Sequence, residues 1–160
     1  MATLHMLCGK IAAGKSTLAA QLARQPNSVL IAEDFWMTQL YPGEVLTIDD
    51  YAKYSQHLGA AMAPHIVQLL QAGVSVVLDF HANTLRRRAW MRGIIDRSGA
   101  AHRLHHLDMS DEVCLARLQD RNAAGTHEYA VTDAVFEQFT RYFVAPTPDE
   151  GFDVVVHHIT

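Results

Sequence analysis

Short apolar runs alternate along this chain with longer stretches whose apolar positions recur at helical spacing. Residues 4–8 predict a strand, and 15–24 a helix stopped before Pro26. A second short strand follows at 29–32. Residues 35–48 predict a loop, with a turn at Pro42-Gly43. A long helical stretch opens at Asp49 or Asp50 and stops at Gly73. Pro64 interrupts it, which predicts a kink or two helices. The clearest strand is the Val-rich run 74–78, ending in Asp79 and apolar enough to be buried on both faces. Thr84 caps a helix over 85–97, with Gly99 after it, and 102–107 gives a weaker strand. Ser110, followed by Asp111 and Glu112, starts a helix that runs to about Arg121. A loop is expected over 122–131, then a helix capped by Thr132 and running to Phe143. A rigid connector at 145–148 leads into a last strand over 152–156.

Strands alternating with helices predict an α/β fold with a mostly parallel sheet and helices on both faces. Ligands of such sheets bind at the carboxyl ends of the strands. The segments to search for chemistry are therefore 9–16, 33–48, 79–84, 108–110 and 157–160. The chain has 160 residues, 49% hydrophobic and 19% charged, enough for one domain with a sizeable core. Its formal charge of −4 argues against a general cationic surface for nucleic acid. Cys8 and Cys114 lie in apolar surroundings and are expected to be reduced and buried. The amino terminus lacks the basic start of a signal peptide, and no apolar run nears the roughly 18 residues of a membrane span. A soluble, cytoplasmic protein without a membrane partner is the expectation.

Gly9-Lys10-Ile11-Ala12-Ala13-Gly14-Lys15-Ser16 fits G-x-x-x-x-G-K-[ST] without a mismatch, between an apolar strand and a helix. Gly9 and Gly14 let the backbone curl so that the N–H groups around Lys10, Ala12 and Ala13 face one anion. The following helix adds the positive end of its dipole. Lys15 is expected to reach the β- and γ-phosphates of a nucleoside triphosphate, Ser16 to ligate Mg²⁺, and Thr17 to bond the α-phosphate. Asp79, at the end of its apolar strand, is placed near the same Mg²⁺. Glu33-Asp34 follows the second strand directly, where Asp34 can accept a proton from an acceptor hydroxyl. Glu33 reads as its supporting or metal-side partner. No Glu or Gln stands beside Asp79 to activate water, which favours transfer to a bound acceptor over hydrolysis.

With these motifs the chain resembles the small P-loop kinases of the AAA-like ATP-binding group, related to zeta toxins, chloramphenicol phosphotransferase and the kinase domain of phage polynucleotide kinase. The resemblance is carried by residues 8–17, Glu33-Asp34, 79–84, 86–90 and 117–122, and covers nearly the whole chain. It implies a five-stranded parallel sheet in the order 2-3-1-4-5. It also implies an acceptor-side base at Asp34 and phosphate-contacting arginines at Arg117 and Arg121, with Arg121 nearer the lid. In these kinases an Asn in D-x-x-N holds the loop after the third strand; here Asn83 lies one residue further on.

Arg117 and Arg121, four apart, share one helix face, where they either neutralise transferring phosphate or form a solvated basic helix end. Arg86, Arg87 and Arg88 open a helix, against its dipole; solvation is the favoured reading, with an anionic substrate or, together with Trp90, nucleic acid as alternatives. Phe35, Trp36, Met37, Leu40 and Tyr41 are assigned to packing of cap helices or to an apolar acceptor pocket. Tyr51, Tyr54 and His57 are assigned to packing, with Tyr54 or His57 facing the acceptor as the alternative. The ten histidines give no zinc signature, and His81 alone is placed by location to touch substrate.

The expectation is a single domain in which 35–73 binds the acceptor and 122–131 forms a lid. Its activity is transfer of the ATP γ-phosphate to a hydroxyl of a small molecule. The alternatives are a polynucleotide 5′-hydroxyl kinase and a nucleotide switch or ATPase acting on a protein partner.

Overall fold

A computed structural model describes residues 2–125 and 131–158. The elements are β1 (Thr3–Cys8), α1 (Lys15–Leu22), β2 (Ser28–Ala32), α2 (Glu33–Leu40), α3 (Ile48–Gln71), β3 (Ser75–His81), α4 (Leu85–Ser98), β4 (Ala101–Asp108), α5 (Asp111–Ala124), α6 (Asp133–Tyr142) and β5 (Val154–His158). The five strands pair in parallel in the order β2-β3-β1-β4-β5. This is the expected α/β architecture and strand order. Strand sides alternate, so the sheet feeds two cores. Leu4, Met6, Val76, Leu78, Phe80 and Leu104 pack with α3 and α4. Leu7, Val77 and Leu107 pack on the other face with Ala19 of α1 and Cys114 and Leu118 of α5. Cys8 and Cys114 are both fully buried and unpaired, as anticipated. No helix among the described residues is long and apolar enough to cross a membrane.

Three expectations need correction. The loop at 35–48 is in its first part the helix α2, which starts at Glu33 with no linker after β2. Glu33 and Asp34 supply the acidic first turn that a helix dipole favours, and nothing before Pro42 breaks the helix. The long helix is not divided: α3 is continuous, with Pro64 inside it. Pro64 deprives the Ala60 carbonyl of its intrahelical partner, but both residues are exposed, so water can replace it. Residues 122–124, placed in a loop, extend α5 until Gly125 ends it in a left-handed conformation. Of the proposed lid, residues 126–130 lie outside the described residues.

Candidate active site

The phosphate loop hangs between β1 and α1. Ala12 and Gly14 both take positive φ, 65° and 102°, which turns successive N–H groups inward. Gly9 is required for a different reason: a Cβ there would sit 3.2 Å from the Ala13 Cβ and 3.3 Å from that of Leu107. The first turn of α1 has no side-chain cap and no acidic residue, whereas Thr47, Thr84, Ser110 and Thr132 cap α3 to α6. Its N–H groups are left for an anion. The Lys15 ammonium folds back onto the carbonyls of Gly9 and Lys10, at 2.5 and 2.9 Å. Burial lowers its pKa and the Asp79 carboxylate partly opposes this. Lys10, by contrast, is paired with Asp111 at 2.5 Å.

Ser16 Oγ donates to Asp79 Oδ2 at 2.8 Å, so the helix hydroxyl and the strand carboxylate meet as expected. Together they offer the hard oxygen donors that Mg²⁺ takes, and the site fits that ion.

Asn83 locks the loop from the other side. Its Oδ1 accepts from the Gly9 N–H at 2.9 Å, and its Nδ2 donates to the Gly9 carbonyl at 2.7 Å. The register between β1 and β3 is irregular just before this point, between His5 and Leu7. The Asn83 carbonyl also accepts from the N–H of Val144, tying the chain after α6 to the same corner.

Glu33 is 3% exposed. Both its oxygens lie 2.7 Å from Arg87 Nη2, and it also accepts from Tyr51 Oη at 2.5 Å and Ser55 Oγ at 2.6 Å. Burial would raise its pKa, but the Arg87 charge and these donors bring it below the usual value. The same burial and the Glu33 charge hold the Tyr51 phenol protonated far above its usual range. Glu33 therefore braces α2 against α3 and α4, and the next residue, Asp34, is carried into the cavity by that brace.

This overturns the reading of Arg86–Arg88 as a solvated triplet. Arg86 alone is exposed. Arg87 is spent on Glu33. Arg88 is 1% exposed; its Nε meets Glu150 Oε1 at 2.6 Å and its Nη1 the carbonyls of Ala82 and Val144, each at 2.8 Å. Buried guanidinium needs such partners, and two arginines at a helix start find them in distant carboxylates.

One cavity of about 670 Å³ brings most of the predicted residues together. Lys10, Ala12, Gly14, Lys15, Ser16, Thr17, Asp34, Asp79, Arg117 and Arg121 line it; Gly9 and Ala13 are buried and do not. Arg121 is half-buried, its pKa lowered by burial and supported by the Asp34 charge. Its Nε is buried and finds no partner among the described residues. Arg117 is exposed, its Nη1 3.7 Å from the Met109 sulfur, and it reaches both this cavity and a smaller one beside His157 and His158. Of the aromatic cluster, Met37 lines the cavity and is buried, while Phe35 and Leu40 are exposed. Tyr51 joins the wall and stacks on His81 at 6.2 Å. His81 is held neutral, with burial and Arg87 pushing its pKa down to about 3. The sequence reading missed the contribution of α6, whose Val135 and Phe139 complete the wall with Phe143 just beyond its end. The only signal for it was the helix's strong amphipathicity.

A family profile described as AAA domain matches residues 4–146, and the chain belongs to that family. No curated protein is significantly similar in sequence. Among solved structures, the chain is similar to a proposed kinase from Chloroflexus aurantiacus, with 19% identity, a TM-score of 0.75, and 98% of this chain and 85% of that one covered. Kti12 of Chaetomium thermophilum in complex with ADP-AlF3 shares 15% identity at a TM-score of 0.72, over 98% of this chain and 88% of that one. A sugar kinase from Janibacter sp. shares 18% at 0.69, over 99% and 86%. At such identity the likeness is one of fold, and the fold is that of the P-loop kinases.

Proposed function

We propose that the protein is an ATP-dependent phosphotransferase that moves the γ-phosphoryl group to a hydroxyl of a small molecule. One observation carries the reading: a carboxylate braced for position, Asp34, shares a cavity with the phosphate loop, the Ser16–Asp79 pair and Arg121. The cavity is also wide enough, at about 670 Å³, to hold an acceptor beside the nucleotide phosphates within reach of Asp34. Asp34 takes the proton of the acceptor hydroxyl as its oxygen bonds to the γ-phosphorus. The bond from that phosphorus to the β–γ bridging oxygen breaks, and ADP leaves with the electron pair. Lys15 and Arg121 stabilise charge on the phosphoryl oxygens, and the loop N–H groups hold the β-phosphate. Ser16 and Asp79 would hold Mg²⁺, which when bound neutralises the phosphates.

In this reading residues 35–73 form the acceptor-binding region. The net charge of −4 and the apolar residues around Met37 and Phe139 favour a small molecule over a nucleic-acid end. The test is ADP release from Mg·ATP across a panel of hydroxyl acceptors, with Lys15→Ala as control. Stimulation by one class, abolished in Lys15→Ala, is expected. ATP turnover stimulated only by a protein partner would overturn the reading.

A further inference from the structure

Three histidines that the proposed chemistry does not use form a ladder across the sheet. His5 Nδ1 lies 3.1 Å from His105 Nε2, and His105 Nδ1 lies 3.1 Å from His157 Nε2. The ring centroids are 5.4 Å apart at both steps. The strand register gives the ladder a direction. His105 stands level with Leu7 of β1, two residues above His5, and His157 stands level with Leu107 of β4, two above His105. The ladder therefore climbs four residues, about 13 Å, toward the carboxyl ends of the strands. Its lowest ring is half-buried and its middle one 5% exposed. Its top ring, His157, lines a smaller cavity beside the phosphate loop, together with Gly14, Thr17 and Arg117.

A neutral imidazole has one N–H and one bare nitrogen. Three neutral rings carry three such hydrogens. Each of the two gaps needs one, which leaves the third on an outer nitrogen. One added proton fills the other outer nitrogen, and both gaps stay bonded. A second would force two hydrogens into one gap and break it. The ladder thus holds a single proton. That proton enters at the bare outer nitrogen, His5 Nε2 or His157 Nδ1, and shifts of the gap hydrogens carry the charge from ring to ring.

Without a ligand the surroundings disfavour that charge. Burial lowers the pKa of His5, and Arg103 on β4 adds to this. Burial, the neighbouring rings and Arg103 take His105 down to about 4. Around the top ring stand Arg117 on α5, Leu18 and the neutral Gln21 on α1, and His158, which faces Asp108 at 3.3 Å. An anion on the phosphate loop changes this balance, because Gly14 and Thr17 line both cavities and a nearby negative charge favours imidazolium.

Resting on nucleotide binding at the phosphate loop, and on nothing about the acceptor, we propose that His5, His105 and His157 form a one-proton site coupled to the donor nucleotide. Binding of the nucleotide beside His157 draws a proton from solvent onto the ladder. Coupling is reciprocal, so nucleotide binds more tightly as pH falls from about 8 to about 6.

The test is calorimetric titration with Mg·ADP at about pH 6.5, in buffers of unlike ionisation enthalpy, for the parent, His105→Gln and His157→Gln. Glutamine donates and accepts hydrogen bonds but takes up no proton. Protonation of the probe itself is common to all three proteins, so the difference belongs to the ladder. The parent is expected to take up about half a proton or more per nucleotide, and each variant less than half as much. Between about pH 8 and pH 6 the parental Kd is expected to tighten about threefold or more, and that of the variants to change less. His157→Gln, at a half-buried ring on the edge strand, carries the test where the buried His105→Gln does not fold. Binding without proton uptake, or with equal uptake in parent and variants, overturns this inference and leaves the phosphotransferase reading intact. A folded parent that binds no Mg·ADP overturns both.

Discussion

Removing the Glu33 carboxylate gives the sharpest test of how the site is held. Glu33→Ala deletes two 2.7 Å contacts to Arg87 Nη2 and the bonds from Tyr51 and Ser55, and leaves a guanidinium with 17% side-chain exposure uncompensated. Breaking one side of a buried ion pair costs about 3–5 kcal/mol. The residual solvent contact of Arg87 puts the expectation at the lower end, about 3 kcal/mol. For a chain of this length that corresponds to a fall in Tm of roughly 6–12 °C. The assay is urea denaturation of the parent, Glu33→Ala, Arg87→Met and the double variant. Because each single change orphans the other partner, the double variant should be less destabilised than the sum of the singles, with a coupling of about 2 kcal/mol. Activity should fall with it, since Asp34 follows Glu33 in the same helical turn. A Glu33→Ala variant within about 1 kcal/mol of the parent, or additive single effects, would refute the bracing role.

Three further expectations concern the loop and the pH response. Asn83→Ala loses two hydrogen bonds to Gly9, worth about 1 kcal/mol each, so calorimetric titration with Mg·AMPPNP should show Kd rising roughly ten- to thirtyfold; an unchanged Kd would show that the loop keeps its shape without the clamp. Because His81 titrates near 6.5 unfolded but at about 3 when folded, its contribution to stability is fully present above pH 6.5 and is lost as pH falls toward 3. From pH 8 to pH 5 this amounts to about 2 kcal/mol, and His81→Gln should remove that increment from the denaturation profile; identical pH slopes in parent and variant would contradict it. Gly9→Ala should weaken nucleotide binding, since its Cβ would press on Ala13 and Leu107, and retention of parental Kd would show that the loop can yield.

The phosphate loop was legible because its chemistry is written in consecutive residues. The strands were legible because a sheet buried on both faces demands apolar runs, as at Val76–Leu78. The order of the strands came from resemblance, not from the pattern. What escaped the sequence is long-range. Arg87 and Arg88 look alike beside Arg86, and only the fold shows that their carboxylates lie 54 and 62 positions away. Asn83 stands one residue beyond the D-x-x-N spacing, and spacing along the chain does not show that its side chain meets Gly9, 74 positions away. Helix α2 reads as loop from the turn signal at Pro42-Gly43, yet the acidic pair Glu33-Asp34 that opens it is a helical signal in plain view. Tyr51 was assigned to packing, and its phenol instead completes the Glu33 brace.

The central claim is that Asp34 serves transfer and not nucleotide binding. The most direct measurement pairs titration of Mg·AMPPNP with detection of the phosphorylated acceptor by phosphorus NMR, in the parent and in Asp34→Asn. The account predicts that the variant binds nucleotide within about threefold of the parent, because the loop and the Ser16–Asp79 pair are untouched, while transfer falls by a factor of roughly 10²–10⁴. Transfer at the parental rate by Asp34→Asn would contradict it.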